Sequence, residues 1–186
     1  MQLRNGAVGV AVRAWQLAGV AMMLHGREVL RAPDQRSLIT INNALVESAL
    51  VNARALAWFL TVHGSDVSIA MYGVPPEDDL VELDREIVRA VSRHLSHVTT
   101  GSPEGEPHPG AWPICELAEV LVFRLAKFVR GLEESDLSKA TWFAPSPIET
   151  WHELQADTSG SATSISSNPA VARLTKALQR HLNGRV

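Results

Sequence analysis

Two arginines and two histidines crowd the stretch "VRAVSRHLSHVTTG", residues 88–101. An imidazole titrates near neutral pH and can take or give a proton, while a guanidinium grips phosphate oxygens through a planar fork. Arg89, Arg93, His94 and His97 are therefore the residues through which this chain would hold an anionic phosphate and move a proton, His97 with Arg93 foremost. Spacing sorts them. At about 100° per residue, His94 falls inside the apolar arc of Leu80, Leu83, Ile87, Val91 and Val98, and His97 falls at its border beside Arg93. Arg89 points about 140° away from His94 by the same construction. Arg93 and His97 can thus act together on a regular helix, and Arg89 with His94 cannot. The same residues have a plainer reading, which is favoured: His94 packs in a core or interface, and His97 satisfies free carbonyls at a helix end.

A second constellation lies upstream. Asn43, Glu47 and Arg54 fall along one helical stripe, with Ser48 and Asn52 as a neighbouring pair. Facing the interior, Glu47 and Arg54 are too costly to bury unpaired, and a network with the next helix through His94 or His97 would satisfy them. Facing water, they are a solvated face. The expectation is a partly buried structural cluster of Glu47, Arg54 and Asn43, with a solvated face and a ligand site as alternatives.

The remaining motifs point away from other chemistries. His25, His63, His108, His152 and His181 are scattered without HxxxH or HExxH spacing, so no metal is expected. There is no GxGxxG, GxxxxGK[ST] or GxSxG sequence, and no cofactor is expected. Cys115 reads as a small core or boundary residue. Trp58, Trp112, Trp142 and Trp151 read as packing groups.

Helical spacing dominates, and alternating strand patterns are scarce. The first helix is predicted over residues 7–30, ended by Pro33. Ser37 is placed to cap the second, whose apolar stripe is Ile41, Leu45, Ala49, Ala53, Leu56 and Leu60. Pro76 with Glu77, Asp78 and Asp79 suits the start of a third, running to Val98. Pro113 opens a fourth, with Ile114, Leu117, Ala118, Leu121, Leu125 and Phe128 as its core face. The expected fold class is all-α: four main helices in an up-down-type bundle plus a C-terminal helix. Residues 1–132 form the bundle domain, 133–167 an irregular Ser/Thr-rich linker, and 168–184 the last helix.

Seventeen Lys and Arg against twenty Asp and Glu, a net charge of −3, give no field that would gather a polyanion from a distance. The single cysteine excludes an intrachain disulfide and fits a reducing, cytoplasmic setting. The apolar stretch "GAVGVAVRAWQLAGVAMMLHG" is interrupted by Arg13 and Gln16, and is read as a buried helix rather than a membrane span.

"ALVESALVNARALAWFL", a helix ending "RHLSHVT", and "WPICELAEVLVFRLAKFV" together resemble a group of bacterial all-helical proteins with no assigned activity. That group's pattern is A-L-x-E-S-x-L-x-x-A-R-x-L-x-x-F-L, then H-L-x-H-x-T, then a Trp-led helix. The resemblance covers residues 38–130 and falls on Glu47, Ser48, Arg54, His97, Thr99 and Trp112. More loosely, the chain resembles HEPN domains, some of which are metal-independent ribonucleases of toxin–antitoxin and antiphage systems using R-x4-6-H. Arg89 to His94 fits that spacing, and Arg93 to His97 is one residue short. HEPN-like domains without the motif serve as binding or assembly modules. The leading expectation is a non-catalytic module that associates with itself or a protein partner, most simply as a homodimer. The alternative is a metal-independent endoribonuclease with RNA as its partner. No membrane partner is expected.

Overall fold

In the computed structural model the described residues are 2–25, 34–61, 67–100, 112–143 and 169–183, and of residues 25, 93–100 and 170 only the helical backbone is described. Among them, six α-helices follow in chain order and there is no strand. They are α1 Gln2–His25, α2 Gln35–Thr61, α3 Val81–Thr100, α4 Ile114–Ser135, the single turn α5 Leu137–Ala140, and α6 Pro169–Asn183. The all-α class is therefore the observed one.

Several boundaries correct the sequence reading. Helix α1 begins at Gln2, five residues before the expected start, because no breaker separates Gln2 from Gly6. Asp34, rather than Ser37, caps α2: its carboxylate accepts the Ser37 amide at 2.8 Å and the Ser37 hydroxyl at 2.9 Å. That places Ser37 three positions inside the helix, where its own N–H is one of the orphan donors a cap must satisfy. Asp78–Leu80 form a 3-10 turn ahead of α3, so the acidic run leads into the helix instead of occupying its first turn, which holds Glu82 and Asp84. Helix α4 continues to Ser135, and Leu137–Phe143 are helical, with Ala140 and Phe143 in the core. The first part of the expected linker is thus bundle, and the Ser/Thr-rich remainder lies outside the described residues.

Helix α1 packs on α2, α3 on α2, and α4 on α1 and α2; Tyr72 joins the start of α1 at Leu3 to the end of α2 at Phe59, so α1 and α2 run antiparallel. The core is made where their apolar stripes meet: Leu17 from α1, Leu50, Leu56 and Leu60 from α2, Leu83 and Ile87 from α3, Leu117 and Leu121 from α4. Helix α6 adds Val171, Leu174 and Leu178, docking on α3 and α4. Burying each such side chain removes apolar surface worth about 1.5–3 kcal/mol from water.

Four rings close one end. Phe59, Tyr72, Phe128 and Phe143 sit in mutual contact, with centroids 5.5 Å apart for Phe59 and Phe128 and 5.2 Å for Phe128 and Phe143, mostly edge to face. The Tyr72 hydroxyl donates to the Leu3 carbonyl at 2.6 Å, which satisfies the one polar atom of the cluster and pins the start of α1. The 3-10 turn Ile69–Tyr72 that carries the tyrosine ends at Gly73 with φ +83°, a left-handed position that glycine adopts freely. A β-carbon on Gly6 would stand 2.5 Å from a Val67 methyl, so glycine lets this segment lie against α1.

Candidate functional site

The residues singled out on α3 divide between described and undescribed. Arg89 is exposed and ion-paired with Glu86 one turn before it. Arg93, His94 and His97 occupy the last turns of the α3 backbone, and their side chains lie outside the described residues.

The α2 cluster is better defined. Asn43 and Glu47 are half-buried and Arg54 is exposed, so the stripe runs along the edge of the helix and not through its core. On α3 the charge facing Arg54 belongs to Asp84. Position 97 lies about 20 Å further along the α3 axis at 1.5 Å per residue. The arginine therefore meets the opening turns of α3, away from the histidine-bearing end. Asp84 is half-buried, with one carboxylate oxygen lacking a partner among the described residues. Burial pushes its pKa up, and the Arg54 and Arg85 guanidiniums only partly oppose this.

Sequence reasoning finds Asn52 and Ser48 but misses the residue that completes them. Asn52 is 2% exposed. Its carbonyl oxygen accepts from Arg13 of α1 at 2.9 Å, and its amide donates to the Ser48 hydroxyl at 3.4 Å. The available signal is the arginine set in the apolar run of α1, since a buried amide such as Asn52 requires a donor and an acceptor.

A third polar group ties the other side together. Arg124 of α4 donates to Glu77 and Asp79, each at 2.5 Å; His181 of α6 lies 3.8 Å from the same Asp79 carboxylate; and Arg180 of α6 pairs with Glu82. The acidic run, expected from sequence to serve as a helix-dipole partner, forms an ionic bracket between α3, α4 and α6. Burial raises the Glu77 pKa, and Arg124 holds it back.

Among the described residues no three metal-ligating side chains gather. The most unusual surface feature is apolar. On α1, Val8, Val12, Trp15, Gly19 and Met23 fall within a strip about 80° wide, and on α2, Ala44, Val51, Ala55 and Trp58 fall within about 60°. Both strips face solvent: Trp15 is 63% exposed, Val12 47%, Trp58 41% and Val51 40%. Trp58 is thus no packing group, and Ile41 of the predicted stripe is also exposed. From Val12 to Arg13, and from Val51 to Asn52, the helices turn about 100° from strip to shared junction. Because α1 and α2 are antiparallel, these turns have opposite sense in a common view, and both strips open to the same side. Helix α1 is also the one described helix long and apolar enough to cross a membrane, with 39% of that window buried inside the protein. No family model, curated protein or solved structure matches the chain.

Proposed function

We propose that this protein is a helical interaction module whose working surface is the apolar face shared by α1 and α2. One observation carries the reading: two tryptophans and three valines stand exposed on adjacent helices, on strips that helix geometry turns to one side. Monomeric proteins seldom leave so large an apolar patch open to water, and tryptophan is among the residues that dominate binding energy at interfaces. In this reading the Glu47/Arg54 stripe at the edge of α2 sets orientation, while the Arg13–Asn52 bond keeps the two helices in register.

The test is the size of the tagged protein in extracts of its own cells. The wild type is expected to elute above the mass of one chain. The variant Trp15→Glu/Trp58→Glu is expected to elute as a single chain with unchanged helicity and melting temperature. A wild type that already elutes as one chain removes the proposal. The reading also expects total RNA to survive incubation with purified protein in EDTA. Cleavage lost in His97→Ala would install a ribonuclease in its place.

A further inference from the structure

We infer that the partner on this face is a second copy of the same chain, related by a twofold axis that passes beside Val51 and lays α2 antiparallel to α2 of the other copy. This rests on the interaction reading above and specifies its occupant. An isologous contact needs a surface complementary to itself after rotation, and the exposed edge of α2 has that property. Ala44 and Trp58 lie seven residues before and after Val51, so rotation places each indole over the small alanine of the other copy. Glu47 and Arg54 lie four before and three after. Rotation therefore brings the carboxylate of each copy to within about one residue's rise, 1.5 Å along the axis, of the other's guanidinium, twice per dimer.

Helix α1 agrees with the same axis. The Arg13–Asn52 bond brings those two residues within one side chain's reach along the axis, which puts Trp15 within about one turn, 5.4 Å, of the level of Val51. The two Trp15 rings would then meet near the axis, with the small residue Gly19 one turn along the same strip. A stable specific interface buries about 1,200 Å² or more in all, which here takes both strips, α1 from Val8 to Met23 and α2 from Ala44 to Trp58. Arg4, Arg13 and Arg54 stand around this face with Glu47, and the carboxylate and guanidinium that share the edge of α2 are the arrangement a rotated copy matches.

The experiment is sedimentation of the purified full chain. Wild type is expected at twice the monomer mass. Glu47→Arg and Arg54→Glu are each expected to weaken the dimer about tenfold by setting like charges opposite each other, and the doubly exchanged protein to recover to within about threefold. Arg54→Glu would also stand beside Asp84 and loosen the fold, so Val51→Cys provides an independent reading. Diamide should link that variant into a covalent dimer that a reductant reverses. Cys115 stays silent in that assay, because its half-buried thiol points at the Ala21 carbonyl and its pKa is pushed up to about 12. A wild type that is monomeric when purified, while the complex in cell extracts still collapses in Trp15→Glu/Trp58→Glu, overturns self-pairing and leaves the interaction reading standing. If neither associates, both fall. A dimer that is indifferent to the charge exchange and that diamide fails to link in Val51→Cys overturns this register. Monomeric protein that sediments with phosphatidylglycerol vesicles through the two tryptophans assigns the face to lipid and overturns the proposal as well.

Discussion

The two outer sides of this bundle are finished differently. Around α3, α4 and α6 the surface is laced with opposite charges: Glu77 and Asp79 on Arg124, Glu82 on Arg180, Asp79 near His181. Along the outward strips of α1 and α2 the surface is instead valine, alanine, methionine and tryptophan. The charged side locks a terminal helix onto its own chain. The apolar side has no such closure and exposes large rings that elsewhere would be core. A surface whose polar groups are satisfied within the chain has little to offer a partner, whereas one that leaves apolar area in water gains by being covered.

Adjacent residues on α2 test this contrast most directly. Phe59 lies in the ring cluster at 2% exposure, and Trp58, next to it, faces out. Phe59→Ala is expected to cost about 3–5 kcal/mol. That corresponds to a fall of roughly 10 °C in melting temperature for a chain of this size. Trp58→Ala is expected to leave the monomer's melting temperature within about 2 °C while weakening association. Equal losses of melting temperature would mean that Trp58 is structural, and the contrast between core and surface would disappear.

On the charged side, Arg124→Ala leaves Glu77 and Asp79 facing each other without their cation. With the arginine and Glu77 mostly shielded from water, a loss of about 1–2 kcal/mol is expected. The loss should shrink as salt is raised if the bracket is electrostatic. A variant as stable as wild type at low salt would reduce the bracket to decoration.

The smallest effect expected is a gain. Burial raises the folded-state pKa of Asp84 above its ordinary value near 3.8, so the ionised carboxylate destabilises the fold at neutral pH. The folded state binds this proton more tightly than the unfolded chain, so stability is highest below the unfolded pKa and declines as pH rises through the folded one. Asp84→Asn should therefore raise the melting temperature at pH 7 by on the order of 2 °C, with the gain vanishing below about pH 3.8. A drop at pH 7 would show that Arg54 and Arg85 outweigh desolvation.

Much of the fold can be read from spacing. The core face predicted for α4, from Ile114 to Phe128, is buried at every position, because charged residues on its other side leave one orientation. Helices α1 and α2 lack that asymmetry. When a helix is apolar nearly all round, periodicity reports that it is a helix and not which side is inside. Trp58 reads as a packing group for that reason, and the exposed strip on α1 is not visible in the sequence at all. The polar contacts are hidden differently. Arg13 is 39 residues from Asn52, and Arg124 is 47 from Glu77. Pairings at such separations depend on how helices are laid together, which no local pattern encodes. The stripe of Asn43, Glu47 and Arg54 is legible as a stripe, but Asp84, its neighbour across α3, is not.

The Arg13–Asn52 bond has a further consequence. A slip of one turn between α1 and α2 would shift one row of exposed rings by about 5 Å past the other, and the Arg13–Asn52 bond at mid-length stands against it together with the Tyr72–Leu3 bond and the close Gly6–Val67 contact at the start of α1. Loosening these contacts would move neither tryptophan from its own helix, yet the pattern they jointly present would be gone. A change concealed between two rods would be felt only by whatever recognises the pair.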